Sequence, residues 1–185
     1  MRRPIVYEPL SIPPTLTGNK VRLRPKRLHD ALNDYKWRKD SELCRLDATQ
    51  PTINSFEEYL KLVAGAPSYS SHSCHFGIET LDGKHIGNCS YFGIDEANGD
   101  AEIGIMIGDK AFWNQSYGTD AIRTALNYIF SQTKLQRIHL KTLGWNMRAQ
   151  KCFQKCGFTP CGKLAREEHN FILMEIRREK IHKQT

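Results

Sequence analysis

The sequence predicts an α+β (mixed α/β) domain: one mixed, mostly antiparallel sheet of about seven strands with helices on both faces. Two observations carry this. Three strand-like runs, "CHFGIET", "HIGNCSYFGID" and "AEIGIMIG", follow one another in mid-chain, separated by "LDGK" and "EANGD". Asp-Gly and Asn-Gly between alternating runs are strong hairpin signals, so the middle of the chain is an antiparallel meander. An amphipathic helix and the strand "RIHLKTL" come next. That strand–helix–strand unit makes its two strands parallel where they are neighbours.

The remaining elements fall in order around this centre. Residues 1–19 read as an extended arm, given Pro4, Pro9, Pro13 and Pro14. "KVRLRP" alternates, with Val21 and Leu23 on one face, and forms a first strand. Leu28, Ala31, Leu32 and Tyr35 recur at helical spacing, and an irregular piece broken by Pro51 follows. Ser55 to Glu58 is a capping box that opens a short helix through Val63, ended by Gly65 and Pro67. After the meander, a helix from about Thr119 to Thr133 places Ile122, Ala125, Leu126, Ile129 and Phe130 on one face. "NMRAQKCFQKCGF" is a short helix with Asn146 as its cap and Gly157 as its stop. Strands around "TPCGKLARE" and "NFILMEI" close a single domain over residues 20–180.

Bulk composition narrows the function classes. The 185 residues suit one domain with a proper core, and 39% hydrophobic with 25% charged content is ordinary for a globular protein. No apolar run is long enough to cross a bilayer. The basic start "MRRPIVYEPLSIPP" lacks the apolar stretch of a signal peptide. Six cysteines (44, 74, 89, 152, 156 and 161) show no CxxC pair, so reduced, structural thiols in the cytoplasm are expected, and no metal site. The net charge of +7 suits nucleic acid, an anionic membrane face or an anionic small ligand. Outside "MRR" and "IRREKIHK" the charge is spread, without the basic, aromatic-laced stripe of a nucleic-acid reader.

The segment "FWNQSYGTDAIRTALNYIF" puts Asn114, Ser116 and Gly118 at the mouth of the central helix. Backbone N–H groups there lack intrahelical partners, so either an anion sits on them or the segment is an ordinary strand-to-helix turn. Here a resemblance enters. "AEIGIMIGDKAFWNQSYGTDA" resembles the W-G-x-G-x-G-T-E-A loop of the GNAT superfamily of acetyl-CoA-dependent N-acetyltransferases, and "WNMRAQKCFQKCGF" resembles its N-x-x-A/S…G-F helix. The likeness runs from about Lys20 to Arg178 and is strongest to the branch of RimJ, RimL and spermidine acetyltransferase. Asn114 and Ser116 replace two loop glycines and only Gly118 remains. A backbone amide survives such replacement where φ stays negative or the residue is Asn.

The resemblance implies acetyl-CoA as cosubstrate, in a gap between splayed parallel strands. Main-chain groups of Ile105 and Ile107 would bond its pantetheine arm. Amides of Gln115, Ser116, Tyr117, Gly118 and Thr119 would hold its pyrophosphate, with Gly118 at positive φ in close approach. Asn146 would bond the pantetheine amide, cap its helix, or do both. The acceptor would be a primary amine, on a protein N-terminus or a small molecule, and the enzyme a monomer or homodimer. A lysine-like amine, pKa near 10.4, costs about 4–5 kcal/mol to deprotonate at pH 7, and an α-amino group only about 1. Glu102 is the candidate base; the competing reading is an outward-facing carboxylate. The backbone amide of Met106 or Ile107 is the expected oxyanion donor. Where many relatives carry a tyrosine acid this chain has Phe153, which would pack on the acetyl end. The proton for the thiolate then comes from Cys152, Cys156, Tyr117 or water, or the thiolate leaves unassisted. A rival reading is a non-catalytic module binding protein or RNA through its basic ends.

Overall fold

A computed structural model describes residues 13–64 and 69–181, without the side chains of 180 and 181. Most of the expected arm and the Gly65–Pro67 helix stop lie outside the described residues. Among the described residues nine strands form one sheet: β1 (Leu16–Thr17), β2 (Val21–Pro25), β3 (Tyr69–Ser70), β4 (Ser73–Thr80), β5 (His85–Asp95), β6 (Asp100–Ile107), β7 (Arg137–Leu143), β8 (Thr159–Arg166) and β9 (His169–Arg177). Their order is β1-β2-β4-β5-β6-β7-β9-β8, with β3 paired to β4. The two strands beyond the expected seven are the two-residue β1 and β3, too short for any period to show. The helices are α1 (Ala31–Lys39), α2 (Ser41–Leu46), α3 (Phe56–Ala64), α4 (Tyr117–Gln132), α5 (Met147–Lys155) and α6 (Arg178–Ile181). None among the described residues is long and apolar enough to cross a membrane.

Local chemistry explains the elements. Gly83 and Gly99 take φ of 92° and 69° in the two hairpin turns, which only a residue without Cβ adopts freely. Ser55 and Glu58 close the capping box reciprocally: the Ser55 N–H donates to Oε2 at 2.7 Å and the Glu58 N–H to Oγ at 3.2 Å. Asn146 accepts from the Ala149 N–H at 3.2 Å, and Gly157, at φ 95°, ends α5. Where the sequence reads as irregular, α2 forms instead. Asp40 caps it by accepting from the N–H groups of Glu42 and Leu43, both at 3.0 Å. Six residues are too few to show helical period, so only the cap betrays it.

The core lies between the sheet and α4, whose Ile122, Leu126 and Ile129 pack with Val21, Leu23, Phe76, Ile78 and Ile103. On the other face α1 reaches over β5, where the Asp34 carboxylate accepts from the Asn88 side-chain amide at 2.7 Å. Beneath that face lies a buried ion cluster. Arg24 donates to both oxygens of Asp30 at 2.7 and 2.8 Å and to Glu79 at 2.7 Å. Gly77 makes the cluster possible, because a Cβ there would run into the Arg24 guanidinium.

One pair of neighbours breaks the antiparallel pattern. β6 runs parallel to β7, but only Asp100, Ala101 and Glu102 pair, with Arg137, Ile138 and His139. Beyond that point β6 stays with β5 as far as Ile107, and β7 stays with β9 as far as Leu143. The sheet therefore forks.

Burial pushes the Asp30 carboxyl up, but the Arg24 side chain and the Arg27 N–H outweigh it and hold the group at about 2, against 3.8 when free. A depressed folded pKa means stability present above pH 3.8 and lost as pH falls towards 2. This group should contribute about 2 kcal/mol that disappears in that window, read by urea titration against pH. Arg24→Met strands two buried carboxylates and should cost about 3–5 kcal/mol at pH 7. A loss below 1 kcal/mol would show that the cluster does not hold this face together.

Candidate active site

A cavity of about 540 Å³ opens at the fork. Ile105, Met106 and Ile107 of β6 line one side. Residues 116–119 at the start of α4 and residues 146–149, 151–153 and 155, at the cap and along α5, line the others. Leu43, Leu46 and Asp47, from α2 and its C-terminal end, close the mouth. A second cavity, of about 500 Å³, lies beyond Met106, which borders both. Its wall includes Lys26, Asp34, Arg38, His75, Asn88 and Ser90.

The main chain of β6 alternates in what it offers. Met106 pairs with Asn88, and the next-but-one N–H, Gly108, donates to Ile86 on the same β5 side. In an antiparallel ladder such alternate residues turn N–H and C=O to the partner strand. Met106 therefore spends its amide on β5, and its side chain is what reaches the cavities. Ile105 and Ile107 turn their main-chain groups to the fork. The Trp113 indole N–H donates to the Ile107 carbonyl at 2.7 Å, which leaves the Ile107 N–H and both Ile105 groups for a ligand. This corrects the Met106 amide as oxyanion donor: the N–H facing the fork is that of Ile107.

The loop before α4 carries strain. Asn114 and Ser116 hold φ of 60° and 68°, and Ser116, the N-cap, makes no side-chain cap bond. Left-handed backbone costs an L-residue roughly 1–2 kcal/mol. The left-handed positions are therefore Asn114 and Ser116 and not Gly118, which sits inside the first turn. A Cβ on Gly118 would make ordinary contacts, 3.6 Å from Cys152 Sγ and 3.7 Å from Ile107. The expectation of positive φ at Gly118 is corrected accordingly. Asp120, the acidic residue of the first turn, accepts from the N–H groups of Asn19, Lys20 and Val21 at 3.2, 2.7 and 3.1 Å and not from those of its own helix. The residues of this uncapped first turn, 116–119, line the cavity.

The other expected residues divide. Tyr117 packs edge-on to Phe112 at 5.1 Å, and Thr119 Oγ1 meets Cys152 Sγ at 3.5 Å; both line the cavity. Asn146 uses its oxygen for the cap, so its amide nitrogen remains for a ligand. Phe153 lines the cavity and packs on Phe158 at 5.8 Å. Gln115 turns away: its side-chain amide donates to the Ala111 carbonyl at 2.5 Å, and its own carbonyl accepts from Lys20 at 3.0 Å. Glu102 lies at the closed end of the fork, where Lys141 donates to it at 2.7 Å, and borders neither cavity. It shares a sheet face with Met106, two alternations on. Between them stands Gly104, whose missing side chain leaves the lane open; a Cβ there would come no closer than 3.5 Å to Phe92.

Several cavity residues escaped the sequence reading. Arg148 lies over the Trp113 ring at 3.6 Å, and Lys151 and Lys155 follow on α5. A cation in the first turn opposes the helix dipole, so Arg148 was the available signal that the cleft is built for an anion. Cys152 and Cys156 both touch Thr119; the hydrogen bond from Cys156, then that from Thr119, holds the Cys152 thiol below its usual range. In the second cavity, burial and then Lys26 push the His75 pKa down, so its ring is neutral at pH 7.

Comparison with known proteins agrees with this geometry. The family model described as Acetyltransferase (GNAT) domain matches residues 20–159. An uncharacterized N-acetyltransferase, p20, of Bacillus licheniformis is 32% identical over 153 residues, covering 81% of this chain and 85% of its own. Aminoglycoside N(6')-acetyltransferase type 1 of Klebsiella pneumoniae is 24% identical over 174 residues, covering 86% and 84%. Among solved structures, spermidine N-acetyltransferase of Vibrio cholerae, in complex with CoA and spermine, superposes with a TM-score of 0.78 at 22% identity, covering 86% of this chain and 96% of that one.

Ser116→Gly should relieve the left-handed cost while keeping every loop amide. Urea unfolding should show a gain of about 0.5–1 kcal/mol. A loss of stability would mean that the serine side chain, and not the backbone, organises the loop.

Proposed function

The chain belongs to the GNAT family of N-acetyltransferases, and on that premise we propose that it moves the acetyl group of acetyl-CoA to a primary amine. The single observation that carries the reading is the fork. Two parallel neighbours part after three residue pairs, and the opened edge of β6 faces uncapped helix amides and the cations of α5. A pantetheine arm is an amide-bearing chain that can add to a strand edge, and a diphosphate suits helix N–H groups with arginine and lysine beside them. On this reading the Ile105 N–H and C=O bond the arm, and the Ile107 N–H, its carbonyl being taken by Trp113, is kept for the acyl end. The amides of residues 116–119 hold the pyrophosphate with Arg148, Lys151 and Lys155, Asn146 takes a pantetheine amide, and Phe153 supplies an apolar wall. Kinship to the RimJ/RimL branch and to spermidine acetyltransferase rests on the two sequence segments. Spermine and aminoglycosides, in the names of the similar proteins, share with a protein N-terminus only the amine.

Acetyl-CoA supplies the activated acyl group as a thioester. The chain supplies the rest. Glu102 accepts the amine proton through water in the lane over Gly104, held in place by Lys141. The Ile107 N–H donates where negative charge develops on the carbonyl oxygen. Phe153 offers no proton, and a thiolate of pKa about 8.5 leaves tolerably well alone.

Calorimetric titration with acetyl-CoA should give a dissociation constant in the micromolar range or tighter; absence of binding at millimolar cosubstrate overturns the function. Glu102→Gln should lower the maximal rate on a lysine-like amine at pH 7 by about 10²–10⁴, with acetyl-CoA affinity unchanged and partial recovery at high pH. A variant as fast as the parent would leave Glu102 only as the anchor of Lys141.

A further inference from the structure

We propose that the acceptor amine is carried on a small anion, a carboxylate or a phosphate monoester, and that Arg38 and Arg27 hold its anionic group in the cavity beyond Met106. This rests on the reading of the fork as the acetyl-CoA cleft, because Met106 borders both cavities and places the second where an acceptor would meet the acetyl group.

The charges of that second cavity carry the inference. Its wall bears three cations, Lys26, Arg27 and Arg38, against one carboxylate, Asp34. Lys26 and Asp34 cancel, since the Lys26 ammonium donates to Asp34 at 2.5 Å and to Asn88 at 2.6 Å. The two guanidinium groups stay undercommitted. Arg27 reaches Glu79 only at 3.9 Å, and Glu79 already accepts from Arg24 at 2.7 Å. Arg38 reaches Asp47 and Thr49 Oγ1 only at 3.5 Å. Their side chains are 55% and 41% exposed, so donors remain for a ligand. Arginine presents several N–H groups in a planar fork matched to carboxylate and phosphate oxygens. His75, neutral at pH 7, adds no charge that would alter the balance.

The same balance disfavours a polycation. A polyamine or aminoglycoside would bring further ammonium groups against two guanidinium groups, and like charges in contact repel. At about 500 Å³ the cavity takes a small molecule. The acceptor's amine then lies at the Met106 end and its anionic group at the arginines.

The test uses thiol release at saturating acetyl-CoA with matched amines: O-phosphoethanolamine against ethanolamine, β-alanine against propylamine, and spermidine and kanamycin alongside. The anionic member should exceed its neutral partner in kcat/KM on the order of ten- to a hundredfold. The phosphate and carboxylate arms tell the two sources apart. Arg38→Gln should remove most of that preference through KM, and Arg27→Gln provides a second, independent variant; both should bind acetyl-CoA as the parent does. Equal rates within each pair, faster turnover of spermidine or kanamycin, or no turnover of any anionic amine would overturn the proposal. Failure to bind acetyl-CoA would instead overturn the acetyltransferase reading itself, and calorimetry reports that separately.

Discussion

The site depends on a strand edge left open inside the protein. Buried N–H and C=O groups must find partners, and a sheet normally supplies them from the next strand. Here β7 withdraws from β6 after His139, so Ile105 and Ile107 face a cleft instead of a strand. Trp113 satisfies one of the exposed carbonyls, at Ile107, and covers that end of the edge. What remains is a short length of unpaired backbone, the element to which an extended, amide-bearing ligand adds most readily.

Around that edge the protein spends stability to keep groups available. Ser116 and Asn114 hold left-handed backbone without the glycines that would make it cheap, and Asp120 ties β2 down in place of capping α4. Ala48, next to Asp47 at the cleft mouth, is left-handed too, at φ 52°. Such strain persists only where the surroundings impose it. On the acceptor side the buried Arg24–Asp30–Glu79 cluster ties β2 and β4 to the turn that leads into α1. Met106 stands between the two halves, its amide in the sheet and its side chain in both cavities.

Much of this was legible in the sequence. The Asp-Gly and Asn-Gly hairpins, the apolar face of α4, the Ser55 box and the Asn146 cap each rest on local chemistry, and each appears where that chemistry puts it. Elements set by tertiary context were not legible. α2 is too short to show a period, and β1 and β3 exist only because longer strands offer them an edge. The length over which β6 and β7 pair follows from packing on either side of them. Which amide faces the fork stayed open in the sequence for the same reason: the choice between Met106 and Ile107 is a matter of register against Asn88, fixed across the sheet and not along the chain. Arg38 and Arg27 read as ordinary surface charge until α1 is placed over β5.

The central claim is that acetyl-CoA lies in the fork between β6 and β7. Cys152 lines that cleft half-buried, whereas Cys44, Cys74, Cys89 and Cys156 are buried and Cys161 is exposed. The direct measurement is the rate of Cys152 alkylation by a maleimide in a Cys161→Ser background, with and without saturating acetyl-CoA, read by peptide mass spectrometry. The account predicts that acetyl-CoA slows labelling at Cys152 by at least about tenfold. An unchanged rate at Cys152, with cosubstrate shown by calorimetry to be bound, would place acetyl-CoA elsewhere and contradict it.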